Sequence, residues 1–97
     1  MIRHSLISVS NTTATSIDIT DSIKSSFTLV IQNINATGYI YIGNASVSVS
    51  NYGFRISPNQ AFTIELSSSE DMYAIASDAG MSVAIMEISR AILYSSF

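Results

Sequence analysis

The chain is 97 residues long, room for one domain. Size scaling gives a folded surface of roughly 5,400 Å² against about 15,000 Å² unfolded, which serves a single core but not a deep, lidded cleft. Cysteine is absent, histidine occurs once, and four basic residues face seven acidic ones for a formal net charge of −3; this excludes disulfide frameworks, thiolate or multi-histidine metal centres, and the basic stripe of a nucleic-acid binder.

In chain order the period is two. Leu6, Ser8 and Ser10 alternate with Ile7 and Val9, which predicts a strand. Ile17 and Ile19 alternate with Asp18 and Thr20 in a second, short one, and Ile23-Lys24-Ser25 has room for one helical turn. The denser run Phe27-Thr28-Leu29-Val30-Ile31-Gln32-Asn33 reads as a central strand covered on both sides. Asn35-Ala36-Thr37-Gly38 supplies turn chemistry before Tyr39-Ile40-Tyr41-Ile42, so these two strands are expected to pair as a β-hairpin.

Val47 and Val49 alternate with Ser46, Ser48 and Ser50 in a further short strand, and Asn51-Tyr52-Gly53 turns the chain into Phe54-Arg55-Ile56. Pro58 offers no N–H and ends a ladder. Ala61 to Leu66 alternates again, Ser67 to Asp71 is a polar loop, and Met72 to Ala76 is a strand. Ser77-Asp78-Ala79-Gly80 then turns into a closing strand from Met81 to Ile88. The composition agrees: 47 % of residues are hydrophobic, isoleucine occurs fifteen times, and β-branched and short polar side chains favour strands and turns over helices. The expectation is an all-β domain over residues 1–88, a small antiparallel β-sandwich or barrel of about eight short strands.

Residues 89–97 follow what reads as the closing strand. Ile92, Leu93, Tyr94 and Phe97 are apolar, and leaving them in water costs about 25 cal/mol per Å². They form either one more edge strand of the same domain or an arm that docks on a neighbouring subunit.

Residues that carry chemistry are few. His4 is the single imidazole and lies near the start of the chain, where it reads as a surface residue rather than a base for one of the many serines. Asp18 and Asp21, and Glu70, Asp71 and Asp78, lie at strand ends and in loops. Calcium is conceivable there, but the spaced ligands and glycine of a dedicated calcium loop are missing, so they read as solvated turn carboxylates. Gly38, Gly43, Gly53 and Gly80 each adjoin a turn and are expected to supply positive φ. The Asn-x-Ser/Thr triplets at Asn11, Asn35 and Asn44 read as turns. No enzyme and no cofactor is expected. Tyr39 and Tyr41 share a strand face by period two; packing at the core or rim is the plainer reading, and a contact face the alternative.

No apolar run exceeds Met72 to Ala76, far short of the ~20 residues of a spanning helix. Arg3 resembles the charged start of an export signal, but Ser5, Ser8, Ser10 and Asn11 interrupt any apolar stretch after it, so no signal peptide and no membrane partner are expected.

The order of segments resembles a family of small β-rich structural proteins of tailed bacteriophages. The residues that carry the resemblance are Thr13-Ala14-Thr15, Val30-Ile31-Gln32-Asn33, Tyr41-Ile42-Gly43 and the run from Pro58 to Ile64, followed by Asp71-Met72-Tyr73-Ala74-Ile75-Ala76 and Val83 to Ile88. Together they span residues 5–88. The family often has a Gly-rich or Pro-Gly turn where this chain has Ser67-Ser68-Ser69-Glu70, which places any loop-mediated contact in doubt. The resemblance implies a virion component made in the host cytoplasm and carried on the capsid surface. Such a component is a capsid decoration (cement) protein or the base of a head fibre, assembled as a homo-oligomer, with a trimer favoured. Its partner would be the major capsid protein or another virion protein, and the expected contacts are Ile92, Leu93, Tyr94 and Phe97, with Tyr39 and Tyr41. A receptor- or carbohydrate-binding module of a tail or fibre, with Tyr39, Tyr41 and Tyr52 as its platform, is the alternative.

Overall fold

A strand of period two buries one side, and several stretches of this chain do so. The computed structural model describes residues 2–17, 26–67 and 71–89. Its strands are β1 (Ile2–Val9), β2 (Thr15–Ser16), β3 (Ser26–Asn33), β4 (Ile40–Gly43), β5 (Phe54–Ile56), β6 (Ala61–Ser67), β7 (Tyr73–Ala76) and β8 (Met81–Ser89). No helix occurs among the described residues. The strands form two four-stranded sheets, sheet A in the order β1-β8-β3-β6 and sheet B in the order β2-β7-β4-β5. All pairings are antiparallel.

The pairs are nested. β1 pairs with β8, β2 with β7, β3 with β6 and β4 with β5. The chain is thus one long two-stranded ribbon, its tip at residues 44–53, rolled up so that β3 also meets β8 and β4 also meets β7. That is the jelly-roll arrangement of a β-sandwich, and it decides between sandwich and barrel.

The core lies between the sheets. Sheet A contributes Phe27, Leu29, Ile31, Val83 and Ile85, and sheet B contributes Ile40, Ile42, Ile56, Ala74 and Ala76. Ile17 and Met72, just outside β2 and β7, belong to the same cluster. The small alanines of β7 let the sheets approach, while isoleucines fill the remaining width, as close packing requires.

Where the ribbon passes from sheet A to sheet B, a buried amide holds it. Asn33 ends β3 and is 0 % exposed. Its Nδ2 donates to the carbonyls of Ile56 (2.9 Å) and Gly38 (3.2 Å), and its Oδ1 accepts from the backbone N (3.0 Å) and Nδ2 (2.7 Å) of Asn35. Both donors and both lone pairs are used, the full capacity of the side chain. Asn35 in turn donates from Nδ2 to the Ser82 carbonyl (2.7 Å) and accepts the Ser82 N–H (3.2 Å). The backbone closes the crossing from the other side: the Asn33 N–H donates to Gln60 O at 3.0 Å, and the Asn59 N–H to Asn33 O at 2.7 Å.

This crossing corrects the expected hairpin. β3 and β4 lie in different sheets and do not pair, because Asn33 and Asn35 spend their amides on β5 and β8 rather than on a tight turn. The strand expected over Ser46 to Ser50 is also absent: Val47 is buried, Val49 is exposed, and the segment turns back through paired hydrogen bonds between Ser48 and Asn51. β3 is central, but its outward side is only partly covered, with Val30 half-buried and Gln32 exposed. Positive φ occurs at Gly38 (89°) and Gly80 (77°) but not at Gly43 or Gly53. Crowding explains Gly43, where a Cβ would lie 3.3 Å from the Val47 side chain. The readings at residues 18–25 and 90–97 fall outside the described residues.

Replacing Asn33 with Ala leaves two carbonyls without their donor and is expected to lower unfolding stability by about 2–4 kcal/mol. Urea titration of the intact protein checks this, and a loss below about 0.5 kcal/mol would show that the amide is dispensable. Gly38→Ala is expected to cost more than about 1 kcal/mol. The new Cβ would lie 2.9 Å from both Asp78 Oδ2 and Met81 Sδ at a φ of +89°. The same titration reads it.

Candidate functional site

Three surfaces stand out, and each follows from the ribbon. The first is the outward side of sheet A. The register aligns Ile2, Ile88 and Thr28 in one row, His4, Met86 and Val30 in the next, and Leu6, Ala84 and Gln32 in the third. Ile2 is 63 % exposed and Leu6 71 %, while Val30, Ala84, Met86 and Ile88 are half-buried. Both phases of β1 carry apolar residues, since Ile7 and Val9 face the core. β1 is also an edge: among the described residues it pairs only with β8. Its eight residues include no proline and pair with β8 without a bulge, so none of the usual devices blunts this edge against strand addition.

The second surface is the outward side of sheet B. Tyr41 lies directly between Arg55 on β5 and Ile75 on β7. The Arg55 guanidinium sits 4.5 Å from the Tyr39 ring centroid, a cation–π arrangement. The rings of Tyr41 and Tyr52 are 4.7 Å apart at 47°. Tyr39, Tyr41, Tyr52 and Arg55 thus form a continuous band that leads to the ribbon tip, where Gly43, Asn44, Val47, Asn51, Tyr52 and Gly53 line a cleft of about 260 Å³.

The third is the flank between edge strands β5 and β6. Phe54, 40 % exposed, stacks on Phe62 at 4.5 Å and 29°. The pair sits over an apolar cavity of about 270 Å³ whose walls include Ile42, Ile64 and Met72. It closes the side of the sandwich that the two short edges leave open.

Tyr39 and Tyr41 share a face as expected and stand at the rim, outside the core cluster. Ile92, Leu93, Tyr94 and Phe97 lie outside the described residues. Leu6, Arg55, Asn44 and Asn51 were not expected as contact residues from the sequence, Asn44 being read only as part of a turn. Leu6 carries a local signal, falling in phase with Ile2 and out of phase with Ile7, whereas Asn44 and Asn51 meet only through the ribbon tip.

The groups capable of chemistry are dispersed. His4 is exposed on the outward side of sheet A opposite Met86. Asp71 is exposed, and the exposed Asp78 accepts from Ser77 Oγ at 3.0 Å. Asp18, Asp21 and Glu70 lie outside the described residues. Buried Glu87 faces inward directly across from Arg3, opposite charges in a cross-strand position that stabilises a sheet. Among the described residues no three His, Asp or Glu side chains gather as a metal set would. Asn35, in one of the three Asn-x-Ser/Thr triplets, has its amide committed to Asn33 and Ser82.

The chain matches no protein-family model and no curated protein sequence.

Proposed function

We propose that this protein is a non-enzymatic structural component of a tailed-phage virion, a capsid decoration protein. In this reading it binds the lattice of the major capsid protein as a homo-oligomer and stabilises it from the capsid surface. The observation that carries the reading is the outward side of sheet A together with the β1 edge, which pairs only with β8 among the described residues, with Ile2 and Leu6 exposed at 63 % and 71 %. A surface of this kind is built to be covered by protein. Strand addition at β1 would satisfy its backbone groups, while the apolar rows beside it supply burial. The surface is sparsely charged, so little opposes such pairing.

Two further points support the reading. The rolled ribbon is the architecture of many virus coat domains, an analogy at the level of fold only. A repeating lattice also multiplies weak contacts, so a small domain needs only a modest area at each site. Ile92, Leu93, Tyr94 and Phe97 extend the same proposal, because they follow directly on β8, whose Ile88 lies beside Ile2.

The test is co-sedimentation of the purified protein with shells assembled from the major capsid protein of the phage that encodes it. The wild type is expected to pellet with the shells at saturable stoichiometry and to raise their melting temperature. Leu6→Lys removes an exposed apolar contact worth about 1.5–3 kcal/mol when covered, so it is expected to weaken binding at least about tenfold. Its own unfolding midpoint should be unchanged. A wild type that stays monomeric and in the supernatant would overturn the proposal.

A further inference from the structure

The cleft at the ribbon tip differs in kind from the apolar surfaces. Val47, buried, belongs to its lining, and Gly43 and Gly53 contribute bare backbone. The chain returns closely past both glycines. A Cβ on Gly43 would lie 3.3 Å from Val47, one on Gly53 would lie 3.4 Å from the Ile42 carbonyl, and the Gly53 N–H donates to that carbonyl at 2.8 Å.

Three polar side chains border this cleft with hydrogen-bonding capacity to spare. Asn44 Oδ1 accepts from the N–H (2.9 Å) and Oγ (2.7 Å) of Ser46. That fixes the amide and leaves its Nδ2, with two donors, uncommitted among the described residues. Asn51 uses its backbone N–H and C=O to pair with Ser48 at 3.1 and 2.8 Å, and its side-chain amide makes no hydrogen bond to the described residues. The Tyr52 hydroxyl is likewise uncommitted, and its ring, 44 % exposed, is braced by Tyr41.

This combination selects a ligand. No charged side chain lines the cleft, so a phosphate or carboxylate finds no counter-charge in its wall. A purely apolar ligand would cover two amides and a phenol without satisfying them, at a cost of about 1–3 kcal/mol for each group. What matches is a neutral molecule with several adjacent hydroxyls and one apolar face. From Asn44, Asn51 and Tyr52 we infer that the ribbon-tip cleft is a saccharide-binding site for one neutral sugar ring. The ring's C–H face lies on Tyr52, and its hydroxyls are shared between the Asn44 and Asn51 amides. The volume, about 260 Å³, falls just below the ~300 Å³ at which pockets for drug-sized ligands begin, which suits a single pyranose. Tyr41, Tyr39 and Arg55 continue the band outward, where further units of a longer glycan would run.

The inference is independent of capsid binding, which rests on the opposite sheet. It is tested by NMR titration of the full chain with glucose, galactose, mannose, N-acetylglucosamine and N-acetylgalactosamine, each to 50-fold or about a hundredfold molar excess and beyond into the range where millimolar affinities saturate, with a neutral-glycan array alongside. Saturable binding of at least one sugar is expected, with amide shifts confined to residues 43–53. Asn51→Ala is expected to weaken binding at least tenfold, Tyr52→Ala to abolish it, and Tyr52→Phe to retain part of it. Asn51 and Tyr52 are exposed, so these variants should keep the wild-type spectrum elsewhere; Leu6→Lys should bind sugar normally. Absence of saturable binding across sugars and array, shifts centred elsewhere, or binding untouched by Asn51→Ala would each overturn the inference. So would protection of residues 43–53 by capsid shells without any sugar response, which would assign the cleft to a protein contact.

Discussion

The amide of Asn33 is the constraint on which the remainder of the molecule turns. A ribbon that must change sheets exposes backbone groups at each crossing, and an unpaired carbonyl in the interior is expensive. Asn33 supplies donors to Gly38 and Ile56 on the sheet B side while its own backbone bonds to Asn59 and Gln60. Asn35 extends the connection to Ser82 on β8. One buried polar network therefore holds the entry to β4 and the end of β5. Everything displayed on sheet B, from the Tyr39–Arg55 contact to the ribbon tip, inherits its position from that point.

The two outward sides of the sandwich have been left chemically different. Sheet A presents aliphatic rows and an open edge, suited to broad contact with another protein. Sheet B presents phenol rings and a guanidinium held in defined contacts, residue types enriched where a few side chains dominate recognition. Between them the Phe54–Phe62 stack seals the flank. The two proposed recognition roles would leave the core undisturbed, since the side chains of both lie outside the cluster that holds the sheets together.

How far the molecule was legible in its sequence depended on whether the relevant contact was local. Alternation disclosed β1 and β6, and apolar runs between turns disclosed β3, β7 and β8, because both are properties of the strand itself. The pairing of strands was not local. Asn35-Ala36-Thr37-Gly38 has the composition of a hairpin turn, and only the bonds from Asn33 and Asn35 to residues 23 and 47 positions away make it a crossover. Alternating Ser and Val at 46–50 suggested a strand, but nothing across from them supplies a ladder, and Ser48 bonds to Asn51 instead. Tyr39 and Tyr41 were placed on one face by period two, whereas the contact of Tyr41 with Tyr52 required the ribbon to turn back on itself.

Nested pairing has a consequence for biosynthesis. β8 is flanked by β1 and β3, so sheet A has no contiguous form until β8 has been made. At about 5–20 residues per second, β1 waits on the order of ten seconds for its partner after leaving the ribosome. Such far-separated contacts also make for slow folding. The newborn polypeptide consequently spends its most vulnerable interval with its stickiest strand uncovered, a burden that falls on the chaperones of whichever cell translates it.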